Sequence, residues 1–144
     1  MLRGKGREVL GHAYAQIASE AIEDPTSEAN QATLKKHYDK AFRAPVIIVA
    51  ACEPTHSSKI DRREELAAVH AAVQNMLLQA YAMGLGAIWR TGAPTYHPVM
   101  KRVFGLRDEA EIVGFVYVGY PIQNPQAKTT PSYISKTVWL DGVK

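Results

Sequence analysis

A single cysteine, Cys52, among 144 residues excludes an internal disulfide and fits a reducing compartment. It ends an apolar run, where a small buried hydrophobe is its natural role rather than a nucleophile or metal ligand. Long apolar runs are also missing. The longest, from Ala44 to Cys52, is far too short to cross a bilayer, so no membrane association is expected. The basic opening Met1-Leu2-Arg3-Gly4-Lys5-Gly6-Arg7 lacks the apolar core of a signal peptide, and the expected location is the cytoplasm. Excess charge of one sign is small, with a formal net charge of +3. Arg62-Arg63 precede Glu64-Glu65, and Lys35-Lys36 lie far from Lys101-Arg102, a pattern of solvated faces rather than a nucleic-acid stripe. Internal repeats and low-complexity segments are absent.

Several catalytic signatures are missing too. The five histidines, His12, His37, His56, His70 and His97, are dispersed, and only Cys52 with His56 has a short spacing. A zinc site needs three or four converging ligands, so no metal site is expected. No Gly-x-Ser-x-Gly elbow occurs, which removes the usual serine hydrolase arrangement. Gly84-Leu85-Gly86 starts like a dinucleotide fingerprint, but Trp89 stands where its third glycine belongs. These glycines also follow a helical pattern, whereas the fingerprint follows a strand.

What is present describes one globular domain over residues 1–144, with 47% hydrophobic and 22% charged residues. Apolar positions from Arg7 to Ile22 recur at helical spacing, and Asp24-Pro25-Thr26-Ser27 breaks the pattern. A shorter helix is expected from Ser27 or Asn30 to Ala41, with Leu34, Tyr38 and Ala41 facing inward. Val46-Ile47-Ile48-Val49-Ala50-Ala51 reads as a central strand covered on both faces. After a polar loop, a long alanine-rich helix begins near Asp61, presents Leu66, Val69, His70, Val73, Met76, Leu77, Ala80 and Tyr81, and stops at Gly84. A short helix around Pro98 to Phe104 and a second buried strand from Glu111 to Gly119 follow. The tail, 121–144, is polar and proline-bearing, yet carries Tyr133-Ile134 and Val138-Trp139-Leu140, which must dock somewhere to be covered.

The quartet Trp89-Arg90-Thr91-Gly92 follows the glycine turn and admits two readings. In the first, Trp89 is a core aromatic, Arg90 a surface charge and Thr91-Gly92 a turn. In the second, the guanidinium fork grips a phosphate, the threonine hydroxyl donates to a phosphate or ring oxygen, and the indole packs beside an apolar ring. Residue chemistry leaves both open.

The segment from Ala67 through Gln79-Ala80-Tyr81-Ala82-Met83-Gly84 to Trp89-Arg90-Thr91-Gly92 resembles the core of the FMN-dependent nitroreductase family. The Gly-x-Ile-Trp-Arg-Thr-Gly form is similar to its small bacterial branch of NAD(P)H nitroreductases. Phe42-Arg43-Ala44-Pro45-Val46-Ile47-Ile48, Phe104-Gly105-Leu106 and the run from Ile112 to Pro121 extend the likeness over nearly the whole chain. The resemblance implies an α+β fold, with a mixed sheet flanked by helices, and an intertwined homodimer holding FMN at its subunit interface. It implies that the alanine-rich helix lies in the dimer core and that the tail reaches over the partner subunit.

Carried over by motif, Trp89, Arg90 and Thr91 match FMN-contacting positions, with Gly92 closing the segment. Gln79, Ala80, Tyr81, Ala82, Met83 and Gly84 match the nicotinamide segment. The implied reaction passes hydride from NAD(P)H to flavin N5 and then electrons to a nitro or quinone-like acceptor, with no obligatory catalytic side chain. One departure is plain: the Arg-Arg-Ser-type opening and the Pro-Trp approach of family members are absent. Gly4-Lys5-Gly6-Arg7 resembles the turn after the first family strand, which implies an N-terminally truncated domain lacking a helix, a strand and the main phosphate-binding arginines. Two rival readings follow: a non-catalytic flavin-binding member, or an inactive dimerising one in which Trp89-Arg90 is only structural.

Overall fold

The computed structural model describes residues 1–123, 129–140 and 142. The expected helix α1 spans Arg7–Ser19 and buries Leu10, Ala13 and Tyr14 at helical spacing. Helix α2, Glu28–Tyr38, buries no residue of its own and continues into a 3-10 turn, Asp39–Phe42, where Ala41 is buried. It rides on α1 through Gly11: a Cβ there would stand 2.8 Å from the Tyr38 ring. Strand β2 is Val46–Cys52, helix α3 is Arg62–Ala82, and helix α4 is Pro98–Val103.

Both ends of α3 follow from local chemistry. Asp61 caps the first turn, its carboxylate accepting from the Arg63 amide at 2.8 Å, with Glu64 and Glu65 at the positive end of the helix dipole. At the other end, the Leu85 amide reaches the Ala80 carbonyl at 2.9 Å and the Gly84 amide reaches that of Tyr81 at 3.0 Å. This reversal needs a left-handed residue, and Gly84 supplies it with φ +73°.

The sheet has four strands in the order β1-β2-β4-β3, where β1 is Leu2–Arg3, β3 is Gly86–Arg90 and β4 is Glu111–Gly119. The α+β class agrees with the resemblance, but the mixed sheet it implied does not occur among the described residues, where every pairing is antiparallel. The reason is topological. β2 and β3 run the same way across the α3 crossover, and β4 is inserted between them, so the two parallel strands are never neighbours. Leu2 and Arg3 pair with Ile47 and Val46, in keeping with the reading of Gly4-Lys5-Gly6-Arg7 as a turn after a strand.

Each face of the sheet carries its own core. On one side Leu10, Tyr14 and Ile47 pack with Met100, Phe115 and Tyr117 beneath α1 and α4. On the other, Ala50, Cys52, Val73, Val113 and Val116 pack beneath α3, with Trp89 against them. Burial pushes the Cys52 thiol up, with Glu65 and Glu111 adding to the shift, as suits a core residue rather than a nucleophile. Within the chain the apolar tail is uncovered: Trp139 is 77% and Leu140 92% exposed. Residues 124–128, 141, 143 and 144, which belong to the docking tail expected from the sequence, lie outside the described residues.

A bulge in β4 organises the α3 side. The register passes from Ala50 opposite Gly114 to Ala51 opposite Ile112, leaving Val113 without a partner on β2. The Trp89 indole N–H donates to the Val113 carbonyl at 3.2 Å, satisfying a group that the ladder releases. Gly114 makes the approach possible, because a Cβ there would fall 2.1 Å from Trp89 Nε1 and 2.9 Å from the Arg90 carbonyl. Gly114→Ala is therefore expected to destabilise the fold by about 2–4 kcal/mol through displacement of the indole. Urea denaturation measures this, and a loss within experimental error would contradict the packing.

On the opposite face the hydroxyls of Tyr14 and Tyr117 meet at 3.4 Å. Burial is the main cause that raises both phenols above the ordinary value of 10.0, while Arg90 and Arg43 pull each back. Unfolded tyrosines ionise near 10.0 and the native pair resists it, so their stabilisation is complete below that pH and is lost as pH rises beyond it. Thermal melting between about pH 9 and 11.5 should show this loss, and Tyr14→Phe should flatten it. An unchanged alkaline slope in the variant would count against the pair.

Candidate active site

The quartet lies at the end of the outer strand β3, and alternation along that strand divides its side chains. Ala87 and Trp89 face α3, opposite Val118 and Val116 of β4. Ile88 and Arg90 stand opposite Tyr117 and Phe115, on the face covered elsewhere by α1 and α4. Trp89 is thus turned into packing, beside His70 at 5.6 Å between ring centroids and below α3. His70, which the sequence pattern placed on the buried face, is exposed, with its Nδ1 2.7 Å from the Leu66 carbonyl. Arg90 and Thr91 are exposed on the other side. Gly92 turns the chain at φ +127°, a conformation that favours glycine, and its carbonyl accepts from the amide of buried Thr95 at 2.9 Å.

Because α1 and α4 do not extend over β3, a cleft remains open there. One cavity of about 340 Å³ runs along Gly86, Ile88 and Arg90 to Arg43, Pro45 and Tyr120. A second, of about 300 Å³, shares Arg43, Arg90 and Tyr117 and adds Lys40, Thr91 and Thr95. Pro45, Ala87 and Ile88 give the first cavity an apolar lining, the Tyr14 and Tyr117 side chains line the second, Arg43 and Arg90 border both, and among the described residues no carboxylate lines either space. Such a donor set suits a planar ligand with a negative group, which is the chemistry of FMN.

The backbone on either side of Arg43 is held in place by its neighbours. The Arg7 guanidinium donates to the Ala44 carbonyl at 2.8 Å and lies 5.0 Å from the Phe42 ring centroid. Pro45 packs against Gly119, where a Cβ would meet it at 2.8 Å. Neither Arg43 nor Lys40 stood out as a site residue in the sequence, since a charge after a helix reads as a solvated face. The usable signal was their spacing, as Lys36, Lys40 and Arg43 fall on one helical face.

The expected nicotinamide segment is on the far side of β3. Tyr81 and Gly84 line a cavity of about 340 Å³ with Leu77, Leu85, Ala87 and Pro121. Ala80 is buried against the sheet, and the exposed positions include Gln79, Ala82 and Met83. Among the described residues, the linings of the cleft and of this cavity share Gly86 and Ala87. Among the described residues no cluster of three metal-ligating side chains occurs, and no helix is long and apolar enough to cross a membrane.

Comparison with known proteins agrees with this architecture. The sequence model of the Nitroreductase family matches residues 3–120. "Putative NAD(P)H nitroreductase YdjA" of Escherichia coli strain K12 is 39% identical over 123 residues, which cover 84% of this chain and 63% of that protein. "Putative NAD(P)H nitroreductase YfhC" of Bacillus subtilis strain 168 is 24% identical over 123 residues, covering 85% of this chain and 61% of that protein. The chain therefore spans less than two thirds of the length of these curated relatives. A solved nitroreductase-like family protein from Bacillus cereus superposes with a TM-score of 0.75 at 28% identity, over 98% of this chain and 71% of that one. Matched from residue 3 to residue 120, and sharing the architecture of a solved family protein over nearly its full length, the chain belongs to the nitroreductase family.

Proposed function

We propose that this chain forms part of an FMN-dependent oxidoreductase that oxidises NAD(P)H and reduces a nitroaromatic or quinone-like acceptor. The observation that carries the reading is the placement of Arg90 and Thr91 on the open face of β3, beside an apolar floor and across from Arg43. Family membership and the names of the relatives support the same class of chemistry.

In this reading Arg90 and Thr91 hold FMN through their side chains, while Trp89 and Gly92 contribute backbone along the same edge. FMN held there would supply the two-electron redox chemistry, hydride transfer from NAD(P)H through N5 to the acceptor. The protein's part is to fix the ring against Ile88 and Gly86, offset negative charge with guanidinium groups, and leave one side open for exchange of nucleotide and acceptor. Gln79, Ala80, Tyr81, Ala82, Met83 and Gly84 are the nicotinamide segment in this reading, and because their cavity lies across β3 from the cleft of the same chain, they would serve the flavin held by the second copy.

The working unit in this proposal is a homodimer located in the cytoplasm. α3 leaves Ala67, Ala68, Ala71 and Ala72 exposed along its outer face, with Leu78 59% and Tyr81 78% exposed. That face and the uncovered Tyr133, Val138 and Trp139 are apolar surface that a second copy would bury.

Titration of purified chain with FMN, followed by flavin absorbance, tests the reading. Arg90→Ala is expected to weaken FMN at least about tenfold while leaving the far-ultraviolet circular dichroism unchanged. Equal affinity in the variant would overturn the cofactor role of Arg90. Flavin uptake without acceptor-dependent NAD(P)H oxidation would leave a flavin-binding protein in place of an enzyme.

A further inference from the structure

Positive charge is concentrated beside the cleft in a way that packing does not explain. Lys40 and Arg43 come from the turn after α2, and Arg90 comes from β3, yet all three line one cavity with Thr91, Thr95 and Tyr117. Among the described residues none of the three cations has an ion-pair partner. The Lys40 ammonium lies 3.1 Å from His37 Nδ1. Burial and then Lys40 hold His37 below its usual value, so the ring is neutral and accepts that bond. Lys40 is itself held low, by burial and by the charge of Arg43. Like charges gathered in this way repel each other unless an anion sits among them.

The floor of the same cavity adds neutral donors. Tyr14 and Tyr117 share one hydrogen bond, which uses one of their two hydroxyl protons and leaves the other to be donated elsewhere. Thr91 adds a further hydroxyl at the rim. The backbone that carries Arg43 is fixed on its C-terminal side, by the Arg7 bond to Ala44 and by Pro45 against Gly119.

We propose that Lys40, Arg43 and Arg90, with the Tyr117 and Thr91 hydroxyls, form an oxyanion site that takes one phosphate or carboxylate group of a small organic ligand. The site stands on this geometry alone; only the identity of the ligand carrying the group, FMN or an anionic acceptor, rests on the flavin reading.

Calorimetric titration of the full chain with inorganic phosphate is the direct test. The wild-type chain should bind it, Arg43→Gln should weaken it at least about tenfold, and Arg43→Lys should fall between. Lys59→Ala, which removes one positive charge from a distant loop, should match the wild type, and equal melting temperatures should confirm that both chains are folded. No measurable phosphate binding by the wild type, or equal binding by Arg43→Gln, would overturn the site.

Two ligand pairs identify the source of the group. If it is the flavin phosphate, Arg43→Gln weakens FMN and leaves riboflavin unchanged. If it is an acceptor carboxylate, the variant weakens 4-nitrobenzoate and leaves both nitrobenzene and FMN unchanged. Either pattern supports the site, and an Arg43→Gln variant that binds the members of both pairs with wild-type affinity contradicts it. Failure of the flavin reading is recognised separately, as loss of both FMN and riboflavin binding in a chain that still takes phosphate through Arg43.

Discussion

The contact between the Trp89 indole and the β4 bulge at Val113 and Gly114 determines how the rest of the outer strand is used. The indole fills the space that Gly114 leaves and donates its proton to a carbonyl that the ladder cannot pair. With Trp89 committed to the α3 side, strand alternation sends Ile88 and Arg90 to the other. A one-residue slip of β3 would bury the guanidinium under α3 and expose the indole, which the packing forbids. The position of the charge in the cleft is therefore secured by an aromatic ring on the opposite face.

The split crossover gives this arrangement its setting. Insertion of β4 between β2 and β3 places the most apolar strand at the centre, with six consecutive buried residues from Ile112 to Tyr117. β3 is left at the edge, covered by α3 on one face and open on the other. α1 and α4 complete the second core over β2 and β4 but end short of β3, and the cleft is the space they do not fill. Arg43 reaches its rim because the connection from α2 to β2 is pinned by Arg7 and Pro45. The same elements that bury the core thus leave an opening bordered by positive charge.

Much of this was legible from residue order. Asp61 and Gly84 mark the approach to α3 and its exit, the apolar runs mark β2 and β4, and the spacing of Leu10, Ala13 and Tyr14 marks α1. Strand β3 lacks a strand pattern in the sequence. Gly86-Ala87-Ile88-Trp89-Arg90 is short, starts with small residues and ends on a charge, so it resembles a turn followed by a platform. Once it is extended, Trp89 and Arg90 cannot share a face: Trp89 is built into the core while Arg90 and Thr91 line the cleft. The bulge depends on cross-strand register, which no local pattern encodes. Lys40 and Arg43 share a helical spacing with Lys36, but only the folded sheet brings them to Arg90.

The account holds that the chemistry of this chain takes place on the Arg90 face of β3 and that Trp89 serves that face from behind. Mapping amide and indole chemical shifts as FMN is added to the labelled chain tests this directly. The backbone signals of Arg90, Thr91 and Tyr117 should move with FMN, while the Trp89 indole N–H, bonded to Val113, should stay in place. Movement centred on the indole and on Val73 beneath α3, with Arg90 and Tyr117 unaffected, would contradict it.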